Sequence, residues 1–167
     1  MAPTWLDELA ARAYPPEPAR PEVVLREYPV RLGIRQEERT IAVMREMQLI
    51  TLDAGHGSSS VPAQLAEFAA QVSGRFGAAL AAPRAELERA HEAGEQHTEI
   101  RYRLWAESPE LLLSYARLME AADAYCAEGQ LISLAPDADI YALRRWTVEE
   151  FLRQYDGAEP RPWSAVS

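Results

Sequence analysis

The sequence predicts a mainly α domain, a helical bundle of about five helices with a minor pair of short β-strands. Three observations carry that reading. Apolar residues recur at spacings of three and four in several segments that open on a capping residue or proline and stop near glycine. One segment, Thr98 to Trp105, alternates with a period of two instead. Strands and helices nowhere alternate in the manner of a doubly wound parallel sheet.

Taken in order, Thr4 to Ala13 places Trp5, Leu6, Leu9 and Ala13 at helical spacing behind a Thr4 cap, and Pro15, Pro16, Pro18 and Pro21 follow as an extended linker. Residues 1–21 therefore read as an amphipathic arm on a tether, packed on the body or on a neighbouring subunit. In Glu22 to Leu32, Val23 and Leu25 alternate with Val24 and Arg26, which suits a short strand, and Pro29 can open a helix. Val30 to Ile50 carries a wide apolar face that includes Val43 and Met47 and is interrupted by the polar run Arg35 to Arg39. Leu52 to Ser60 is loop-like in composition. A helix is expected from Ser60 or Val61 through Leu65, Phe68, Val72 and Phe76, and another from Pro83 to about Gly94. Thr98 to Trp105 is the best strand candidate, with a buried helical segment as the alternative. Ser108-Pro109-Glu110 then combines a cap, a first-turn proline and an acid at the positive dipole end, opening a helix to about Glu128 that Gly129 stops. Asp137 or Asp139 caps a last helix, Ile140 to Tyr155, which buries Leu143, Val148, Phe151 and Leu152. The helical domain spans 22–157, and 158–167 is a Pro/Trp tail.

The chain has 167 residues, enough for one domain with a core of its own. Its net charge of −9 argues against nucleic acid and against anionic lipid, since both need a basic face. No apolar run reaches the length of a membrane span. All 17 basic residues are arginine, so every basic side chain is a planar fork able to pair bidentately and stack on rings. Cys126 is the single cysteine, which suits a reducing compartment, and it reads as a small core or boundary residue. Met1 to Ala13 carries Asp7 and Glu8 without an apolar run, unlike a signal peptide. The expected location is the cytoplasm.

One motif invites a catalytic reading. Leu52-Asp53-Ala54-Gly55-His56-Gly57 resembles the opening metal-ligand loop of zinc-dependent N-acetylmuramoyl-L-alanine amidases, with Glu67 following as a carboxylate ligand would. The resemblance implies zinc on His56 and Glu67 and hydrolysis of an amide. It covers about six residues, and the companion histidine is missing, since His91 lies in a charged helical segment and His97 in a polar turn. Glu88 and His91 make one Glu-x-x-His half-motif of a di-iron bundle, without a second copy. Ser58-Ser59-Ser60 lacks a nucleophile-elbow setting, and no glycine-rich segment suits a phosphate. No cofactor or metal and no complete catalytic site are expected.

The C-terminal stretch Leu143-Arg144-Arg145-Trp146-Thr147-Val148-Glu149-Glu150-Phe151-Leu152-Arg153-Gln154, followed by Gly157-Ala158-Glu159-Pro160-Arg161-Pro162-Trp163, resembles the end of a group of small uncharacterised actinobacterial proteins. In those, an Arg-Arg-Trp helix with Glu-Phe-x-x-Gln precedes a Gly-Glu-Pro-x-Pro-Trp tail. Ala121 to Cys126 and Leu131 to Ala135 are similar to a second segment of theirs. The spacing departs at Asp156-Gly157-Ala158. The resemblance implies a regulatory role in signalling modules that contain anti-sigma-type ATPases and serine phosphatases, and it supplies no catalytic residues.

The leading expectation is thus a non-enzymatic regulatory or adaptor protein. Arg144, Arg145, Trp146, Trp163 and Trp5 would contact a protein partner, such as a signalling ATPase or phosphatase, or a second copy in a homodimer. The plainer alternative for Trp163 is a cap on the protein's own core. Two other classes stay open: the zinc hydrolase of the His56 loop, and a small-molecule sensor with an aromatic pocket near Tyr102, Trp105, Tyr115 and Trp146.

Overall fold

A computed structural model describes residues 22–53, 70, 80–103 and 108–165. Among these, strand β1 (Glu22–Pro29) leads into helix α1 (Val30–Asp53). Helix α2 covers 80–92 and is followed by strand β2 (His97–Arg103). Helix α3 (Ser108–Ala127), helix α4 (Ala138–Tyr155) and a short 3-10 turn at Trp163–Ala165 complete the order. The fold is mainly helical with one antiparallel strand pair, as the apolar spacing predicts. It has four helices among the described residues rather than about five. The expected helix from Ser60 or Val61 to Phe76 lies outside the described residues, as do the arm and linker 1–21 and Trp105. At Leu52 and Asp53 the loop-like composition misleads. No glycine or proline stands between Gly33 and Gly55, and α1 continues through both residues.

The strands pair Val23 with Tyr102 and Leu25 with Ile100, so alternate residues turn Val23, Leu25 and Ile100 onto the helices. Between Leu25 and Tyr28 the register slips, and Glu27 adopts φ 53° there. This bulge turns Tyr28 into the core and feeds the chain into α1, whose first N–H, from Val30, donates to the carbonyl of Gln96 at 3.0 Å. The outer edge of β1 is covered rather than open. The Gln154 side chain accepts from the Val24 N–H and donates to the Val24 carbonyl, both at 2.9 Å, as a neighbouring strand would. Arg26 bridges to Pro162 in the tail.

Two apolar clusters fill the interior. One joins Val23, Leu25, Tyr28 and Ile100 of the sheet to Leu87, Leu112, Leu113, Leu143, Trp146 and Phe151. The other joins Val43 and Met47 of α1 to Leu118, Met119, Ala122 and Cys126 of α3, with Leu131 below. Arg39 separates the two clusters along α1. No helix among the described residues is long and apolar enough to cross a membrane.

Candidate ligand pocket

A cavity of about 180 Å³ opens inside the first cluster. Six elements wall it: Tyr28 from β1, Gln36 and Thr40 from α1, Leu87 from α2, Ile100 and Tyr102 from β2, Leu112 and Tyr115 from α3, and Arg144, Val148 and Phe151 from α4. Its floor is apolar. Gly33 belongs to the same wall, and its lack of a side chain lets the Tyr28 ring lie against α1. Arg84 and Glu37, paired with each other, and exposed Arg103 stand on the solvent side.

The polar groups of the wall are few and specific. Thr40 Oγ1 shares a 3.2 Å hydrogen bond with the Tyr115 hydroxyl and donates to the Gln36 carbonyl at 2.9 Å. Burial pushes the ionisation of Tyr28 well above its ordinary value, helped by the nearby Tyr102, Tyr115 and Glu37. Tyr102 and Tyr115 are raised by burial as well, although Thr40, Arg144 and Arg39 pull Tyr115 the other way. All three hydroxyls therefore stay protonated and can donate near neutral pH.

Arg144 closes the inner end. Its side chain is 3% exposed, and one guanidinium nitrogen, Nη2, pairs with Asp123 Oδ2. The other oxygen of Asp123 accepts from Arg39 Nη2 at 2.6 Å. Two arginines, Arg144 buried and Arg39 partly so, thus share one carboxylate. Nε and Nη1 of Arg144, Nη1 of Arg39 and Oε1 of Gln36 are buried without a hydrogen-bond partner. Unmet donors and acceptors at this depth cost about 1–3 kcal/mol each, so such a cluster is retained where something answers it.

The other residues singled out by the sequence fall as follows. Arg145 is half exposed and pairs with Glu149 at 2.9 Å. Trp146 is buried, 6.3 Å from the Tyr28 ring centre and 5.4 Å from that of Trp163, which packs edge-on against it. Trp163 therefore covers the protein's own core. Of the aromatic residues expected around a pocket, Tyr102 and Tyr115 line it and Trp146 does not. Trp5, His56 and Glu67 lie outside the described residues. His91 and His97 are exposed, and no three metal-ligating side chains converge among the described residues. Cys126 is buried, and burial raises its thiol pKa.

One functional feature escaped the sequence reading, namely that Arg144 faces inward. The signal was present. Ile140, Arg144, Thr147, Val148 and Phe151 follow one helical stripe, so Arg144 sits on the apolar face while Arg145, about 100° round the helix, faces out. Comparison of the chain with protein-family models, with curated proteins and with solved structures finds no match.

Proposed function

We propose that this protein is a small-molecule-binding domain of the sensor type, which takes a compact, largely apolar ligand in the cavity between the sheet and the helices. The observation that supports this reading is the cavity itself: apolar on most sides, walled by six elements and furnished with a few convergent polar groups. Its volume is above the roughly 150 Å³ that holds a benzene molecule in an engineered core. The test is a titration of the isotopically labelled protein with benzyl alcohol, followed by NMR. Saturable shifts confined to Tyr28, Ile100, Leu112, Val148 and Phe151 are expected, and Leu112→Trp should abolish them. Absence of saturable shifts up to the solubility of the alcohol would reject the reading.

A second reading, the regulatory or adaptor protein acting through a protein partner or a second copy of itself, has its own support. Ile132 is 92% and Leu134 84% exposed. Their loop is nonetheless pinned to α1: Glu46 accepts from the backbone N–H of Ile132 and of Ser133, and Arg39 Nε donates to the Leu134 carbonyl at 3.2 Å. Burial alone would raise the Glu46 pKa, but those two N–H donors hold it below its ordinary value. A rigid display of two large apolar side chains suits a contact surface. Sedimentation equilibrium tests the homodimer form of this reading. A dimer that Ile132→Asp with Leu134→Asp converts to monomer is the expected result, and a monomer at all concentrations would exclude it.

A further inference from the structure

Resting on the pocket reading above, we infer that the ligand is a small amphipathic monoanion, a carboxylate on an aryl or branched-alkyl body, with its charged group received by Arg144. The geometry points to charge first. Arg39 and Arg144 are 10% and 3% exposed, and among the described residues Asp123 is the one carboxylate paired with both, which leaves an excess of one positive charge there beside the cavity. Among the described residues Arg144 also meets the Tyr141 ring, whose centre lies 5.4 Å from the guanidinium carbon. A π face offsets a cation only weakly.

Unmet donors give the second argument. Nε and Nη1 are buried without a partner, and each can donate to an oxygen of an anionic head group. Nη2, which both two-pronged edges of the guanidinium share, is already taken by Asp123, so the head group is received through single hydrogen bonds. Both free nitrogens are closed to bulk water, so the head group reaches them only as the pocket wall adjusts around it.

The remaining wall limits the ligand further. Leu87, Ile100, Leu112, Val148 and Phe151 offer an apolar bed for the body. The single excess positive charge beside the cavity calls for one negative charge, hence a monoanion, and Glu37 on the solvent side is paired with Arg84. Gln36 Oε1, an unanswered acceptor in the same wall, favours a hydroxyl or amine on the ligand near the head group. An internal water bridging Gln36 and Arg144 is the competing occupant.

Calorimetry on the full chain at low salt separates these cases, with phenylacetate, its neutral isostere phenylacetamide, and acetate as probes. The inference expects phenylacetate to bind at least about tenfold more tightly than phenylacetamide, the difference a charge-assisted pair supplies. Acetate, lacking the body, should bind more weakly than phenylacetate. Arg144→Gln should bring the two aromatic probes to parity. Because Arg144 also holds Asp123, that variant risks misfolding, and Glu37→Gln supplies an independent arm: it removes the nearby negative charge and should strengthen phenylacetate binding without helping the amide. Equal binding of acid and amide by the unmodified protein, or weaker phenylacetate binding in Glu37→Gln, overturns the anion inference and leaves the pocket reading standing. Binding of neither aromatic probe overturns both.

Discussion

Glu150 shows how much a single residue can hold. Its carboxylate is fully buried and accepts from Arg153 Nη1 at 2.8 Å, from Arg161 Nε at 2.6 Å, from the Arg161 backbone N–H at 3.0 Å and from Gln154 Nε2 at 3.3 Å. One side chain thereby fixes the tail to α4 and orients the glutamine that covers the β1 edge. Burial by itself would raise the Glu150 pKa, but the Arg161, Arg153 and Gln154 donors outweigh it and hold the value below that of an ordinary glutamate. A carboxylate whose pKa is lower in the folded state stabilises the fold above its unfolded pKa, about 4.3, and that contribution disappears as pH falls through the folded value. Glu150→Gln should therefore flatten the acid limb of a stability–pH profile measured by urea unfolding. Near neutral pH it should cost about 2–3 kcal/mol, at the lower end for a broken buried pair because Arg153 and Arg161 reach solvent. None of this was legible as function in the Glu149-Glu150 pair. Adjacent acids on a helix look alike until the tail is seen to return across one of them.

At the scale of elements, the sequence was most legible where chemistry is local. Asp137 caps α4, accepting from the Ile140 N–H at 3.0 Å, and Gly157 follows its end at φ 87°, the left-handed conformation that glycine adopts freely. Asp137→Ala should lower stability by about 1 kcal/mol in the same urea measurement. The strand at His97–Arg103 and its partner at Glu22–Pro29 follow from their period-two patterns, with Pro29 as the junction to α1. What local pattern could not show is contact over distance. Gly33 looks like a mere flaw in a helix, and alanine there would gain about 1 kcal/mol of intrinsic propensity. In the fold its Cβ would collide with Cε1 of the buried Tyr28 ring, so the ring or the helix must shift. Overpacking of this kind costs about 1–3 kcal/mol. Gly33→Ala should thus destabilise on balance, and thermal unfolding should show a lower midpoint. An exposed glycine in the same helix would have given the opposite sign.

At the scale of the molecule, the pocket is assembled from residues that the sequence scatters, from Tyr28 to Phe151. Tyr102 and Tyr115 could be named beforehand because aromatic residues on a strand and on an amphipathic helix turn inward. Gln36 and Thr40 could not, because they lie in or beside a polar run that reads as a solvated interruption of α1. The fold explains that run: Arg39 leaves the apolar face of α1 to meet Asp123, and Gln36 and Thr40 border the cavity one turn earlier and beside it. Polar residues on an inward stripe were the marks of the site, and spacing alone could not separate them from surface. A crystal structure of the protein grown with benzyl alcohol shows whether this space receives a ligand. The ring is expected seated among Ile100, Leu112, Val148 and Phe151. A well-ordered structure in which Leu87 and Leu112 close the same space, with no room for the ring, would contradict this expectation.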